Sequence, residues 1–170
     1  MIKKVAKLLH IGQMTKALQR QLEGEGGIVW LEEGIPVTAV LRAFKAPGIR
    51  CGYRRMSFVG FVAMSKRRLV ASASFFHKTE VNVAFEDPEF KAITFSVAGN
   101  RLSMSFEAAG LIPDASGEVT LRFATFDLPV AAQLLAERGG RIGEPDGAAN
   151  RSQPIRPAVN RTSEAAGSGR

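Results

Sequence analysis

Few side chains in this chain of 170 residues are suited to nucleophilic or acid–base chemistry: two histidines, His10 and His77, and one cysteine, Cys51. A serine nucleophile needs a base such as histidine within hydrogen-bond reach. His77 follows Phe75 and Phe76 at an expected strand end, His10 falls on an expected basic helix, and no Gly-x-Ser-x-Gly elbow occurs. Both read as surface histidines. Cys51 stands between Arg50 and the pair Arg54 and Arg55, where positive charge favours a thiolate. A small redox protein or enzyme hinging on Cys51 is therefore kept as one alternative. Glu86, Asp87 and Glu89 gather carboxylates, but Pro88 lies among them and no repeated oxygen-ligand spacing follows. They read as a solvated turn. A single cysteine excludes a disulfide framework or a cysteine-rich zinc module. No Walker or Rossmann glycine pattern sits between a strand and a helix. The expectation is a protein with no catalytic residue, no cofactor and no metal ligand, hence not an enzyme.

Charge is the stronger signal. Lys and Arg number 23 against 16 Asp and Glu, giving +7 at pH 7 and a pI near 10.1. The excess is unevenly placed. Residues 34–79 carry nine bases and no acid, whereas residues 80–137 carry nine acids against Lys91, Arg101 and Arg122. One half of the folded part is basic and the other acidic. Two basic clusters stand out: Lys45, Arg50, Arg54 and Arg55 with Tyr53 beside them, and Lys66, Arg67 and Arg68.

The elements that must carry these residues follow from periodicity. Residues 2–22 repeat apolar positions at steps of three and four (Ile2, Val5, Leu9, Leu18, Leu22), which predicts an amphipathic helix with Lys3, Lys7, Lys16 and Arg20 on its polar side. A glycine-rich linker, Gly24 to Gly27, ends it, so residues 1–29 form one unit. From Gly34 the period becomes two. The first strand places Ile35, Val37, Ala39, Leu41 and Ala43 on one face, and Lys45-Ala46-Pro47-Gly48 is a turn signal. Further strands carry Met56 to Met64, Leu69 to Phe75, Val81 to Phe85, Ile93 to Val97, Leu102 to Phe106 and Val119 to Phe123. Gly99-Asn100 is a hairpin turn. This makes seven antiparallel strands, mainly β, closed into a barrel or folded into a sandwich.

A final helix begins at Asp127, which is expected to cap it, with Pro129 in its first turn and Leu128, Ala131, Ala132 and Leu135 as its apolar stripe. Gly139-Gly140 stops it. Residues 140–170 are rich in Arg, Gly, Ala, Ser and Pro and contain no aromatic residue, leucine or methionine. They are expected to be disordered, because they bury too little apolar area to offset ordering entropy.

Seven antiparallel strands followed by one amphipathic helix resemble the pleckstrin-homology-like barrel. The run Gly60-Phe61-Val62-Ala63-Met64-Ser65-Lys66-Arg67-Arg68-Leu69-Val70 is similar to the strand–turn–strand signature of its bacterial and GRAM-type members, with Ser65 where threonine is usual. Glu33-Gly34 before the first strand resembles the family's opening "GE" in reversed order. The resemblance spans residues 30–139. It departs from the eukaryotic members in lacking the tryptophan of the final helix: Trp30 precedes the first strand. The resemblance implies two nearly orthogonal sheets whose open corner the helix plugs. It also implies an anion site in the loop joining the first two strands, here Lys45, Arg50, Tyr53, Arg54 and Arg55, since several cations on a short hairpin make charge-assisted bonds to phosphate. Lys66, Arg67 and Arg68 form a secondary patch, expected at the opposite end of the sheet.

The leading expectation is a non-enzymatic binding or scaffold module, presenting its basic face to an anionic lipid headgroup or an acidic protein surface. Self-association through the acidic 80–137 face of another copy is a further expectation. Nucleic-acid binding by the basic region and the arginine-bearing tail is the alternative. It is weakened because most phenylalanines point inward, with Phe44, Phe61 and Phe76 as exceptions. No apolar run reaches the roughly 18 residues of a membrane span, and no apolar stretch sustains the charged start as a secretory signal would. The expected location is the cytoplasm, in part peripheral at the membrane.

Overall fold

Thr15 is a natural helix start, and its hydroxyl accepts the amide of Leu18 at 3.2 Å. It opens the first helix of the computed structural model, α1 (Lys16–Gly24), in a chain described over residues 12–73 and 80–143. The expected helix 2–22 is therefore not continuous. Gly12 has a left-handed φ of +71°, and residues 13–15 are not helical. Residues 2–11 of that expectation lie outside the described residues. Gly26, at φ +109°, ends α1: the Gly27 amide reaches back to the Leu22 carbonyl at 3.2 Å and that of Gly26 to Glu23 at 3.4 Å. This pair of hydrogen bonds around a left-handed glycine is the Schellman closure.

The strands are β1 (Ile28–Ala46), β2 (Ile49–Ser65), β3 (Arg68–Ala73), β4 (Glu80–Ala84), β5 (Thr94–Ala98), β6 (Arg101–Glu107), β7 (Ser116–Ala124) and β8 (Arg141–Gly143). A short helix, α2 (Pro88–Ala92), joins β4 to β5, and α3 (Leu128–Glu137) follows β7. The eight strands form one mixed sheet in the order β4-β3-β2-β1-β7-β6-β5-β8, curled into a half-barrel. The mainly β expectation holds. The count of seven strands does not: β8 adds an eighth, parallel to β5. It falls in the stretch expected to be disordered, and backbone pairing rather than apolar burial places it there. The rest of that stretch, from residue 144, lies outside the described residues. The sheet also begins earlier than expected, at Ile28.

The β1–β2 ribbon sets the curl. Val37–Lys45 of β1 lies between β2 and β7, whereas among the described residues Ile28–Pro36 pairs with β2 only. On β2 the pattern reverses: Gly60–Met64 lies between β1 and β3, and among the described residues Ile49–Val59 pairs with β1. Each neighbouring block of sheet thus hangs from opposite ends and opposite sides of one long ribbon. Bulges sharpen the bend. One lies at Gly34, φ +65°, so Glu33-Gly34 sits inside β1 and not before it. Another lies between Ile28 and Trp30, and a third between Arg42 and Lys45, opposite Gly117. There Ala43 takes a left-handed φ of +47°, which inverts the alternation. Ala43 was expected inside; it is exposed, and Phe44 is buried in its stead at 1%. Left-handed alanine costs about 1–2 kcal/mol, and burying a phenylalanine returns about 1.5–3 kcal/mol.

The concave face holds the main core, including Ile35, Leu41, Met64, Leu69, Phe95, Met104 and Phe123. Leu128, Ala131 and Leu135 of α3 insert into it, as the stripe predicts; Ala132 is only half-buried. Gly139 (φ +78°) and Gly140 close α3 with the same pair of bonds that ends α1. The convex face carries a second cluster, in which Leu18 and Leu22 of α1 cover Phe61, Ala63 and Val70.

Asp127 does not cap α3 with its side chain. The acceptor comes from β1: the Glu32 carboxylate takes the amides of Phe126 at 2.9 Å and Asp127 at 3.0 Å. Glu32→Ala is expected to cost about 1 kcal/mol and more than Asp127→Ala, as read from urea midpoints. Equal losses would return the cap to Asp127.

Candidate functional site

The β1–β2 connection is shorter than the resemblance implies. Ala46 pairs with Ile49, leaving only Pro47 and Gly48 in the turn. Pro47 followed by Gly48 at φ +78° fits a type II turn. The loop between the first two strands therefore carries none of the expected anion-binding residues. Lys45 belongs to β1, and Arg50, Tyr53, Arg54 and Arg55 belong to β2.

Strand geometry then decides what they can do together. Lys45 stands directly opposite Arg50, Arg42 opposite Tyr53, Leu41 opposite Arg54 and Val40 opposite Arg55. Successive side chains on a strand point to opposite faces. Leu41 belongs to the concave core, so Arg54 stands on that side and Arg55 on the convex side. From Arg50 to Arg55 the strand runs about 17 Å at its usual rise. The cations are thus spread along a ribbon and over both of its faces. They do not converge on one phosphate-sized point.

All five residues are exposed, and Tyr53 is 65% accessible. Arg42 is neutralised locally: its guanidinium donates to Glu118 at 2.9 Å. Among the described residues Lys45, Arg50, Arg54 and Arg55 form no ion pair. Two like charges face one another across Lys45 and Arg50, which costs stability and favours an anion between them.

The second cluster is divided. Arg68 forms an ion pair with Glu25 at 2.7 Å and donates to the Asn82 side chain at 2.8 Å. It ties the end of α1 and strand β4 to β3. Lys66 and Arg67 are exposed in the turn. That turn is built by Ser65, whose buried hydroxyl accepts the amides of Arg67 at 3.1 Å and Arg68 at 3.0 Å. These amides are therefore spent internally. As expected, the two clusters sit at opposite ends of β2, and they make no common surface.

The other candidates are dispersed. Glu86, Asp87 and Glu89 are exposed around the start of α2, a helix where the local sequence favours a turn. The Asp87 carboxylate accepts the Ala84 amide at 3.1 Å. No group of three metal-ligating side chains occurs among the described residues. Cys51 is half-buried beside its cross-strand partner Phe44 and packs against the apolar core. Phe44 and Phe61 are buried, so neither offers a stacking platform; Phe76, His10 and His77 lie outside the described residues. No helix among the described residues is long and apolar enough to cross a membrane.

Met56 and Phe58, expected on one face of the strand with Val62 and Met64, are half-buried and continue the concave core out along β2. Gly52, midway along the arm, has nothing within 4 Å of where a Cβ would lie. Comparison with family models, with curated proteins and with solved structures finds no match to this chain.

Proposed function

We propose that this chain is a non-enzymatic binding or scaffold module of pleckstrin-homology type, and that its basic β2 arm meets an acidic protein surface. The element order supports the first part: β1 to β7, antiparallel wherever they pair and interrupted by the short α2, precede a helix whose apolar stripe enters the concave face. One observation carries the second. Lys45, Arg50, Arg54 and Arg55 are exposed and lack an ion-pair partner among the described residues, and they are spread along a strand instead of gathered around a point. A headgroup clamp needs convergent donors. A ribbon of charge about 17 Å long suits an extended acidic surface. Association of this kind is steered by charge and weakens with salt, whose screening length is about 8 Å at physiological ionic strength.

The test uses polyglutamate, phosphatidylserine vesicles and double-stranded DNA as probes, each at low and physiological salt. The expected result is salt-sensitive retention of polyglutamate, reduced at least tenfold in the variant Arg50→Glu/Arg54→Glu/Arg55→Glu. All three substituted positions are exposed, so the fold should survive. Preferential binding of vesicles or DNA by the unsubstituted protein, or equal polyglutamate binding by the variant, would overturn the reading.

A further inference from the structure

We infer that the acidic surface met by the basic arm is that of a second copy of this chain, held face to face on the convex side in a two-fold dimer. The inference rests on the arm being a protein interface, and it names the partner. Two like-charge pairs on one face carry it.

The basic pair is Lys45 on β1 directly opposite Arg50 on β2, both exposed. Phe44 is buried in the concave core, so the next side chain, Lys45, points to the convex side with Arg50 beside it. The acidic pair is Glu107 on β6 directly opposite Glu118 on β7. Their neighbours Phe106 and Val119 belong to the concave core, so both acids stand on the convex side as well. Like charges directly opposite one another destabilise a sheet. The chain therefore holds one unfavourable pair of each sign on the same face.

Neither pair is relieved within the chain. The Arg42 guanidinium donates to Glu118, and both side chains remain about two-fifths exposed, at 41% and 40%. Among the described residues Lys45, Arg50 and Glu107 form no ion pair. Arg50 and Glu107 cannot meet, because β2 and β6 stand three strand spacings apart, about 14 Å across the sheet.

A second copy relieves both. In the strand order β2-β1-β7-β6 the basic pair lies on one side of the β1–β7 boundary and the acidic pair on the other. The two pairs occupy adjoining rows, since Arg42 stands opposite Glu118 and Lys45 opposite Ser116. A two-fold axis normal to the face at this boundary sets Arg50 over the partner's Glu107 and Lys45 over the partner's Glu118. Symmetry repeats both contacts, so the association closes at two copies. The face is convex, which confines the contact to a strip, and the dimer is accordingly weak and sensitive to salt. Tyr53, 65% accessible in the row beside Arg50, flanks the contact with the kind of side chain that anchors interfaces.

The experiment is sedimentation equilibrium of the full chain at low and physiological salt, up to about 1 mM protein. It compares the unsubstituted protein, Arg50→Glu, Glu107→Lys and an equimolar mixture of the two variants. Both positions are exposed, and each substitution removes a like-charge pair, so the fold survives. The expected result is dimerisation of the unsubstituted protein that fades with salt, at least about tenfold weaker self-association of either variant alone, and recovery in the mixture, where the exchanged charges match again. A monomer at every concentration, dimerisation unchanged by the substitutions, or a mixture that does not recover overturns the inference. Salt-sensitive retention of polyglutamate by a protein that stays monomeric leaves the basic arm as an interface for another protein; loss of both overturns that reading as well.

Discussion

Phe90→Ala is expected to lower stability by about 4 kcal/mol, seen as a fall of roughly 15 °C in the unfolding midpoint. Phe90 is fully buried and is the only buried side chain of α2. A helix of five residues has no stability of its own in water, because nucleation costs more than one turn of hydrogen bonds returns. Its place depends on this ring. The Phe90 ring meets Phe85 edge-on at 5.0 Å and Phe95 at 5.7 Å. Phe85 directly follows β4 and Phe95 lies on β5, so the three rings join the two ends of the sheet across the concave side. Truncation removes the ring's burial and leaves a void that its neighbours cannot fill without moving the strands. Lys91→Ala, exposed on the same helix, should change stability by less than about 0.5 kcal/mol. A Phe90→Ala loss as small as that of Lys91→Ala would show that α2 does not anchor the half-barrel.

Gly60→Ala is the second large effect, expected at about 3 kcal/mol, at the upper end of overpacking costs. The cause is steric, not conformational, since Gly60 has no left-handed φ. A Cβ at Gly60 would run into the carbonyl oxygen of Ser72 on β3 and would lie 2.9 Å from a Val37 methyl on β1. The first obstacle is backbone and cannot rotate away. Relief requires β2 and β3 to separate at the point where their pairing begins. The Gly60→Ala protein should therefore show a lower urea midpoint and faster amide exchange in β3 and β4 than in β6 and β7. Unchanged exchange in β3 would mean that the strands have more room there than the structure gives them.

These two residues show what the sequence could disclose. Gly60 was visible as a glycine inside an alternating strand, but its necessity depends on a carbonyl twelve residues away. Phe90 lay beside Pro88 and three acids, whose local preference is a turn; the tertiary contact with Phe85 and Phe95 makes a helix of it. Local signals served well where the determinant is local. The glycine stops after α1 and α3, the two-residue turn at Gly99-Asn100, and most of the stripe of α3 were legible; the turn after Lys45 was legible as a turn, but its two-residue length was not. Nonlocal determinants were not. The bulge at Ala43 is fixed by register against β7, so the exchange of Ala43 for Phe44 inside has no signature in β1 itself. The cap of α3 comes from Glu32, more than ninety residues earlier.

The candidate site was legible in its residue types and not in its geometry. The excess of cations over residues 34–79 can be counted, and four of them are unpaired among the described residues at one arm. Their division between two faces follows from β2 starting at Ile49, two residues after the turn begins, instead of after a long loop. Arg68 looked like a member of a basic triplet; its partner Glu25 comes from the segment before β1 and makes it structural.

Chemical-shift mapping of the full chain with polyglutamate tests the central claim most directly, because it compares both basic clusters in one titration. The account predicts that the largest changes fall on Lys45 and residues 50–57, that Lys66 and Arg67 change less, and that all of them fade as salt is raised. Changes centred on Lys66 and Arg67, or spread evenly over every cationic position, would contradict the assignment of the β2 arm as the interface.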